Sequence, residues 1–343
     1  MSEQFNEILL FSGGLDSYIA WHYLGKPKTL HFMSNTKYGE EEARVVRELI
    51  PDTVFDHSLD FRGREEGEKA YIPYRNLLFA CQAAKYAPII YMAGVRDDVV
   101  NDKNPSAFSD FSSILTRYSK NENKHSVLSP FWNSTKSEVV RWYLTSGHSA
   151  ENLLKTISCY APSEGRNYCG ACPSCYRKTV ALWDNGITDL YFHNTPMVMD
   201  YYRKALRSEY YLDRCASIKR YTEWYAKTNQ ITIKEPKVFI FDIDGTLTVE
   251  TQGYGPEVYA QRTPRFDMIS HVNKLYEKGN EVIIWTSRHE QDIVDTIMWL
   301  KRYGVKYTEL RLEKPHYHRM VCDRTIHPDR VTSVEDIENE SGN

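Results

Sequence analysis

The stretch Ile8-Leu9-Leu10-Phe11-Ser12-Gly13-Gly14-Leu15-Asp16-Ser17, running on into Tyr18-Ile19-Ala20-Trp21-His22-Tyr23-Leu24, decides the fold class. A short apolar run, a glycine pair and a longer mixed segment read as a buried strand, a tight turn and a helix. Glycines let the backbone turn sharply and approach an anion, while successive N–H groups and a helix N-terminus supply partial positive charge. Ser12 and Ser17 add hydroxyl donors, and Asp16 either orients the loop or helps to place Mg²⁺ accompanying ATP. No Gly-Lys-Ser/Thr follows, so the loop is not a Walker A, and its spacing is not that of a dinucleotide-binding turn. Ser12, Gly13, Gly14, Leu15, Asp16 and Ser17 are therefore expected to cradle nucleotide phosphates.

Outward from this turn the pattern repeats. Residues 29–33 and 54–55 read as strands, 40–50 and 76–86 as helices, and 89–93 as a fourth strand ending at Gly94. Strands and helices alternating at this spacing predict a mostly parallel α/β sheet. Residues 97–125 are polar and irregular, as expected of a substrate segment over the C-terminal strand ends, and 136–144 read as a helix. Residues 195–230 are aromatic and charged and read as a helical connector. Beyond Pro236 a new βα pattern begins, with strands at 238–241 and 282–285 and helices at 266–278 and 292–303. The expected organisation is a first α/β domain over 1–195, a connector over 196–235, a second α/β domain over 236–335 and an acidic tail over 336–343.

With 43 Lys plus Arg against 46 Asp plus Glu, no global positive field draws the chain to nucleic acid. No apolar run approaches the roughly 20 residues of a membrane span, and the first residues lack a basic signal region. A cytoplasmic location and no membrane partner are the expectation. Four of the seven cysteines, Cys159, Cys169, Cys172 and Cys175, are spaced C-x9-C-x2-C-x2-C. Such a cluster points to metal rather than disulfides. Four thiolates offer a closed tetrahedral site for which Zn²⁺ is the natural structural ion, with an iron–sulfur cluster as the competitor for the same ligands.

The hexad at 12–17 resembles the pyrophosphate loop of the N-type ATP pyrophosphatases, an adenine nucleotide alpha hydrolase-like fold. Combined with the cysteines, with Tyr38-Gly39, Ile72-Pro73-Tyr74-Arg75-Asn76, Gly94, Lys136, Thr156-Ile157-Ser158-Cys159 and Arg177, it is similar to the 7-cyano-7-deazaguanine synthase (QueC-like) family over residues 8–190. That resemblance implies ATP-dependent adenylation of 7-carboxy-7-deazaguanine, attack by ammonia and a second activation to the nitrile. It assigns Arg75 to a phosphate or substrate carboxylate, Asn76 to a hydrogen bond nearby, Lys136 to phosphate charge and Asp110 to the guanidine-like edge of the deazapurine. The chain departs from the pattern in three places. Tyr74 stands where Gly is expected, Asp97 and Asp98 are out of register with Val99, and Phe108-Ser109-Asp110 is all that remains of the base-recognition run. Two alternatives follow: a ligase joining the deazapurine acid to a protein or another amine, and a protein that processes or binds RNA ends or nucleotides. An oligomer is compatible with either.

Asp242-Ile243-Asp244-Gly245-Thr246-Leu247-Thr248 follows the apolar strand at 238–241. Residues two apart in extended chain point the same way, so both carboxylates face one site suited to Mg²⁺. This motif resembles that of the haloacid dehalogenase (HAD) superfamily, a Rossmannoid α/β fold rich in phosphatases. The resemblance implies Asp242 as nucleophile, Asp244 as general acid/base, and Thr286 and Lys314 as phosphate-binding groups. Asp323 completes the Mg²⁺ ligands, although Cys322 stands in place of a first acid and Asp329 is a possible substitute. A phosphorylated nucleotide, RNA or protein is the implied partner.

Overall fold

The computed structural model describes residues 4–64, 72–96, 98, 100–120, 123–159, 167–233, 236–249, 252–315 and 325–338. The chain divides into two compact units, Met1–Ile231 and Thr232–Asn343.

The first unit opens with β1 (Glu7–Leu10), α1 (Leu15–Tyr23), β2 (Thr29–Phe32), α2 (Gly39–Leu49), β3 (Val54–Asp56), α3 (Arg75–Ala83) and β4 (Ile89–Met92). It continues with α4 (Pro105–Tyr118), β5 (Ser126–Leu128), α5 (Lys136–Thr145), α6 (Ala150–Lys155), α7 (Pro173–Trp183), α8 (Thr195–Leu206) and α9 (Leu212–Thr228). Among the described residues the sheet has five parallel strands in the order β3-β2-β1-β4-β5. Fully buried strands need apolar side chains on both faces, which is why Ile8, Leu9, Leu30 and Ile90 have no exposure. The order reverses direction between β1 and β4. A crevice opens beyond the strand ends at such a switch point, and the glycine turn after β1 lies there.

Two departures from the sequence reading have physical causes. Residues 97–125 are not irregular throughout, because Pro105–Tyr118 is a helix of 14 residues. Its start is encoded by Asn104, whose side chain accepts from Ala107 N–H at 2.9 Å, with Pro105 in the first turn. Phe108 and Phe111, three apart, bury its inner face. The aromatic segment after residue 195 folds as α8 and α9 and, to Ile231, belongs to the first unit. Its rings pack on α7. Tyr201 stacks on Tyr176 at 4.2 Å between centroids, and Tyr221 meets Trp183 edge-on at 5.5 Å. The high aromatic content thus has a packing role here.

The second unit comprises β6 (Val238–Phe241), α10 (Pro256–Ala260), α11 (Phe266–Glu277), β7 (Glu281–Trp285), α12 (Ile293–Arg302), β8 (Glu309–Arg311) and α13 (Val334–Glu338). Its described strands form a parallel sheet in the order β6-β7-β8. Val272, Leu275, Val282, Ile284 and Leu300 make its core. Among the described residues no helix is long and apolar enough to cross a membrane.

Tyr74, at the start of α3, takes φ 61° and ψ 8°, the left-handed conformation that an L side chain disfavours, and its ring is 72% exposed. The position calls for glycine, as the resemblance anticipated. Tyr74→Gly should therefore raise stability by about 1 kcal/mol in chemical denaturation, since little packing is lost and left-handed strain is relieved.

Candidate functional site

The turn after β1 is built as the sequence reading anticipates. Gly13 has φ +71°, and a Cβ there would lie 3.2–3.3 Å from Val45, Val46 and Ile157, so both backbone conformation and space demand glycine. Ile157 N–H donates to Gly13 O at 2.9 Å, pinning the loop to the segment that leads into Cys159. Ser17 Oγ donates to Gly14 O at 3.1 Å, and the hydroxyls of Ser12 and Ser17 are 3.3 Å apart. Gly14 caps α1 without a side-chain hydrogen bond, which leaves first-turn N–H groups for an anion.

This loop lines a cavity of about 280 Å³, together with Arg75, Asn76, Lys136 and Arg177. Arg75 donates from Nη1 to the Tyr38 hydroxyl at 3.0 Å. Asn76 is committed within the protein: its Nδ2 donates to Asp102 Oδ1 at 3.0 Å and its backbone N–H to Asp102 Oδ2 at 3.4 Å. Lys136 is the first residue of α5 and forms an ion pair with Asp16. A Thr135–Glu138 capping box fixes that helix start, and with it the origin of the lysine. Asp110 is not brought to the cavity. It is exposed on α4, because Phe108 and Phe111 take the inward face and the two residues between them, Ser109 and Asp110, turn to solvent.

The cavity holds further charged groups that the sequence reading did not assign a role. Asp98 has a side chain only 4% exposed and pairs with Arg177 and Lys103. Burial by itself would raise its carboxyl, but the Lys103, Arg177 and Lys136 charges outweigh burial and hold it well below the usual carboxylate range. Burial pushes the Glu42 carboxyl up to about 7, with Arg75 pulling the other way. Lys178, 2% exposed, donates to Thr156 O at 2.5 Å, and burial lowers its ammonium to about 7. No spacing rule brings the Asp98–Lys103 segment, Glu42 and Lys178 together, since the loop before α4, α2 and α7 are separate parts of the chain. The pairing of Arg177 with the cysteine run was the one available signal.

The four cysteines converge as expected, with their sulfurs all within 4.8 Å of one another. A tetrahedral site with Zn–S bonds of 2.3 Å requires sulfurs about 3.8 Å apart, and Cys169 Sγ and Cys175 Sγ are 3.8 Å apart. The residues present therefore fit a Zn²⁺ ion. Cys172 caps α7, its Sγ accepting from Cys175 N–H at 3.4 Å. Gly170 forms the turn between Cys169 and Cys172 at φ +69°, where a Cβ would collide with His193 Nδ1 at 2.8 Å. Without a cation the crowded sulfurs favour protonation: hydrogen bonds with Cys159 and Cys172, then burial, push the Cys175 thiol up.

In the second unit the structure gathers the four assigned residues. Asp242 and Asp244 follow β6, and Lys314 forms an ion pair with Asp242. Thr286 is fully buried at the end of β7, its hydroxyl accepting from Arg288 N–H at 3.3 Å, while Lys314 N–H donates to Thr286 O at 3.0 Å. Arg288, 1% exposed, grips Asp244 with both arms, Nε at 3.0 Å and Nη2 at 2.9 Å, and Arg262 Nε lies 3.3 Å from the same carboxylate. Arg288 carries no motif signature, and only the fold reveals it. Asp329 pairs instead with Arg265 at the surface, and Asp323 and Cys322 lie outside the described residues.

The fold and the first unit's site define a parallel α/β domain that pairs a glycine turn after β1 with a four-cysteine cluster. Residues 42–186 match the family model of the queuosine biosynthesis protein QueC. The cysteines lie within that span, and the phosphate turn precedes it. The chain is 32% identical over 132 residues to the 7-cyano-7-deazaguanine synthase of Rickettsia massiliae, covering 35% of this chain and 55% of that protein. It is 29% identical over 219 residues to the Sulfolobus acidocaldarius 7-cyano-7-deazaguanine synthase, covering 53% and 46%. It is 28% identical over 218 residues to 7-cyano-7-deazaguanine synthase 2 of Sulfurisphaera tokodaii, with the same coverage. The first unit thus carries a QueC-like domain, and the chain spans about half the length of the curated relatives it matches.

Purified protein should hold stoichiometric zinc by elemental analysis. Cys172→Ser should lose it and melt earlier, because structural zinc contributes on the order of 10 kcal/mol to folding. Zinc affinity should fall as pH is lowered, since each ligating thiol must give up its proton. Iron with visible absorbance in place of zinc would assign the cluster to iron–sulfur chemistry.

Proposed function

We propose that the first unit is an ATP-dependent C–N bond-forming enzyme acting on a 7-deazaguanine carboxylate. The observation that carries this reading is one cavity lined by the phosphate turn, Lys136, Arg177 and Cys159, in a domain similar to QueC. A carboxylate oxygen attacks the α-phosphorus of ATP and the bond to pyrophosphate breaks. Ammonia then attacks the acyl carbon, AMP leaves and an amide results. Repeating the activation on the amide oxygen, with loss of AMP and a proton, gives the nitrile. First-turn N–H groups of α1 with Ser12 and Ser17 hold the phosphates, Lys136 and Arg177 offset their charge, and Arg75 meets a phosphate or the carboxylate. Zn²⁺ held by the four cysteines would anchor the segment bearing Arg177 and Lys178.

Mass spectrometry of products from ATP, ammonium and 7-carboxy-7-deazaguanine tests the reading. AMP and pyrophosphate should appear with amide or nitrile, and Asp16→Ala should lower the rate by about 100-fold or more. No acid-dependent AMP would sink it. Asp110 is exposed on α4, away from the cavity, and this favours an altered acceptor as the second reading. An ATP-dependent adduct on a protein amine, without free nitrile, would replace ammonia by a macromolecular acceptor.

We further propose that the second unit is HAD-like and hydrolyses a phosphomonoester, with Asp242 as nucleophile, Asp244 as acid and base, and Thr286 and Lys314 on the phosphate. Mg²⁺ would be held by Asp242, Asp244 and Asp323 and would supply charge neutralisation. The convergence of the Asp242/Asp244 pair with Thr286 and Lys314, from two other segments of the chain, supports this. Mg²⁺-dependent phosphate release from p-nitrophenyl phosphate should vanish in Asp242→Asn. Wild-type protein inert toward this probe and toward phosphorylated nucleotides would remove the phosphatase reading.

A further inference from the structure

The loop between β4 and α4 carries a lysine into the phosphate cavity within the very segment where the chain departs from its family resemblance. Three donors meet at the Asp98 carboxylate. Arg177 Nη2 reaches Oδ1 at 2.7 Å, Lys103 Nζ reaches Oδ2 at 2.8 Å, and Val95 N–H reaches Oδ2 at 3.3 Å. A carboxylate this deeply buried is tolerable only when paired, and removing one partner of such a set is costly. Here the pairing also has a direction, for Asp98, Lys103 and Arg177 all line the cavity that the phosphate turn lines.

The described residues of this loop are tied near both of its ends. Asp98 N–H donates to Val95 O at 3.0 Å, Lys103 N–H to Val100 O at 3.0 Å, and Asn104, the next residue, caps α4. Lys103 therefore has a fixed origin. Its ammonium is kept charged: burial works against the charge, but Asp98 and then Asp16 of the phosphate turn outweigh it. Asp16 is in turn paired with Lys136. Lys103, Arg177 and Lys136 thus converge with Asp98 and Asp16 on a cavity that the start of α1 also lines. Cations gathered beside a helix N-terminus suit a dense anion, and the densest charge on a nucleotide lies in its β- and γ-phosphates.

We infer that Lys103 contacts the β- and γ-phosphates that depart as pyrophosphate, and that Asp98 is the positioning residue that aims it there alongside Arg177. This rests on the nucleotide reading of the same cavity. When the bond from the α-phosphorus breaks, its electron pair goes to the bridging oxygen of the departing pyrophosphate. A nearby ammonium stabilises that negative charge without itself changing protonation.

Calorimetric titration of the full chain with ATP, AMP and inorganic pyrophosphate separates the possibilities. Lys103→Met should weaken ATP and pyrophosphate by about tenfold or more and leave AMP within about twofold, whereas Lys103→Arg should retain most of the affinity. Asp98→Asn should produce the same selective loss, because it releases both cations from their common holder. Lys103→Gln keeps a donor toward Asp98 while removing the charge, and it serves should the methionine variant fail to fold. Pyrophosphate affinity unchanged in the folded Lys103 variants, or AMP lost in equal measure, would overturn the inference. Wild-type protein that binds pyrophosphate and ATP yet converts no deazapurine acid would remove the proposed reaction and leave Lys103 assigned. Wild-type protein that binds neither removes both.

Discussion

Four sulfur atoms within 4.8 Å of one another cannot all be thiolates without a cation between them. The segments that bring them together are tied to everything else the first unit does. Ile157, two residues before Cys159, donates its N–H to Gly13 and so fixes the phosphate turn. Arg177 and Lys178 lie two and three residues after Cys175 on α7 and line the cavity beside the glycine turn. Behind α7, the aromatic helices α8 and α9 close a core around Cys159, Cys175 and Tyr176. An ion in this cluster would hold the loop, two cavity cations and a packed aromatic wall in one arrangement.

The cavity itself is organised by charge pairing. Asp16 with Lys136, and Asp98 with Lys103 and Arg177, bring carboxylates and cations from separate segments to the ends of the parallel strands. Low polarizability around them makes each pair strong and each unpaired member expensive. Such an arrangement is preorganised for an anion, since its donors are held in place before a ligand arrives. The second unit shows the same economy on a smaller scale, with Asp242 held by Lys314 and Asp244 by Arg288 and Arg262.

Short-range patterns were legible because their physics is local. The strand at residues 8–10, the Gly13 turn and the helix after it follow from apolar runs and from a backbone conformation only glycine adopts freely. The cysteine spacing announced a common ligand, and the Asp242/Asp244 pair announced a shared face. The helix Pro105–Tyr118 is also encoded, in Asn104, Pro105 and the Phe108/Phe111 spacing, but its four Ser residues and Asp110 give it the composition of a loop. Position in a motif points to Asp110 as a ligand, whereas the helix phase set by those two phenylalanines turns it to solvent.

The sequence by itself determined that this chain has two α/β patterns, a phosphate-sized turn and a four-thiol cluster, because each is written in residues close together along the chain. Only the tertiary structure decided which distant charges meet. Arg177 meets Asp98 through the docking of α7, Lys136 meets Asp16 through the packing of α5 on α1, and Arg288 reaches Asp244 through the pairing of β6 with β7. Ion pairs of this kind depend on distances of about 3 Å between groups far apart in sequence. Packing of whole elements sets those distances, and no spacing rule along the chain encodes them.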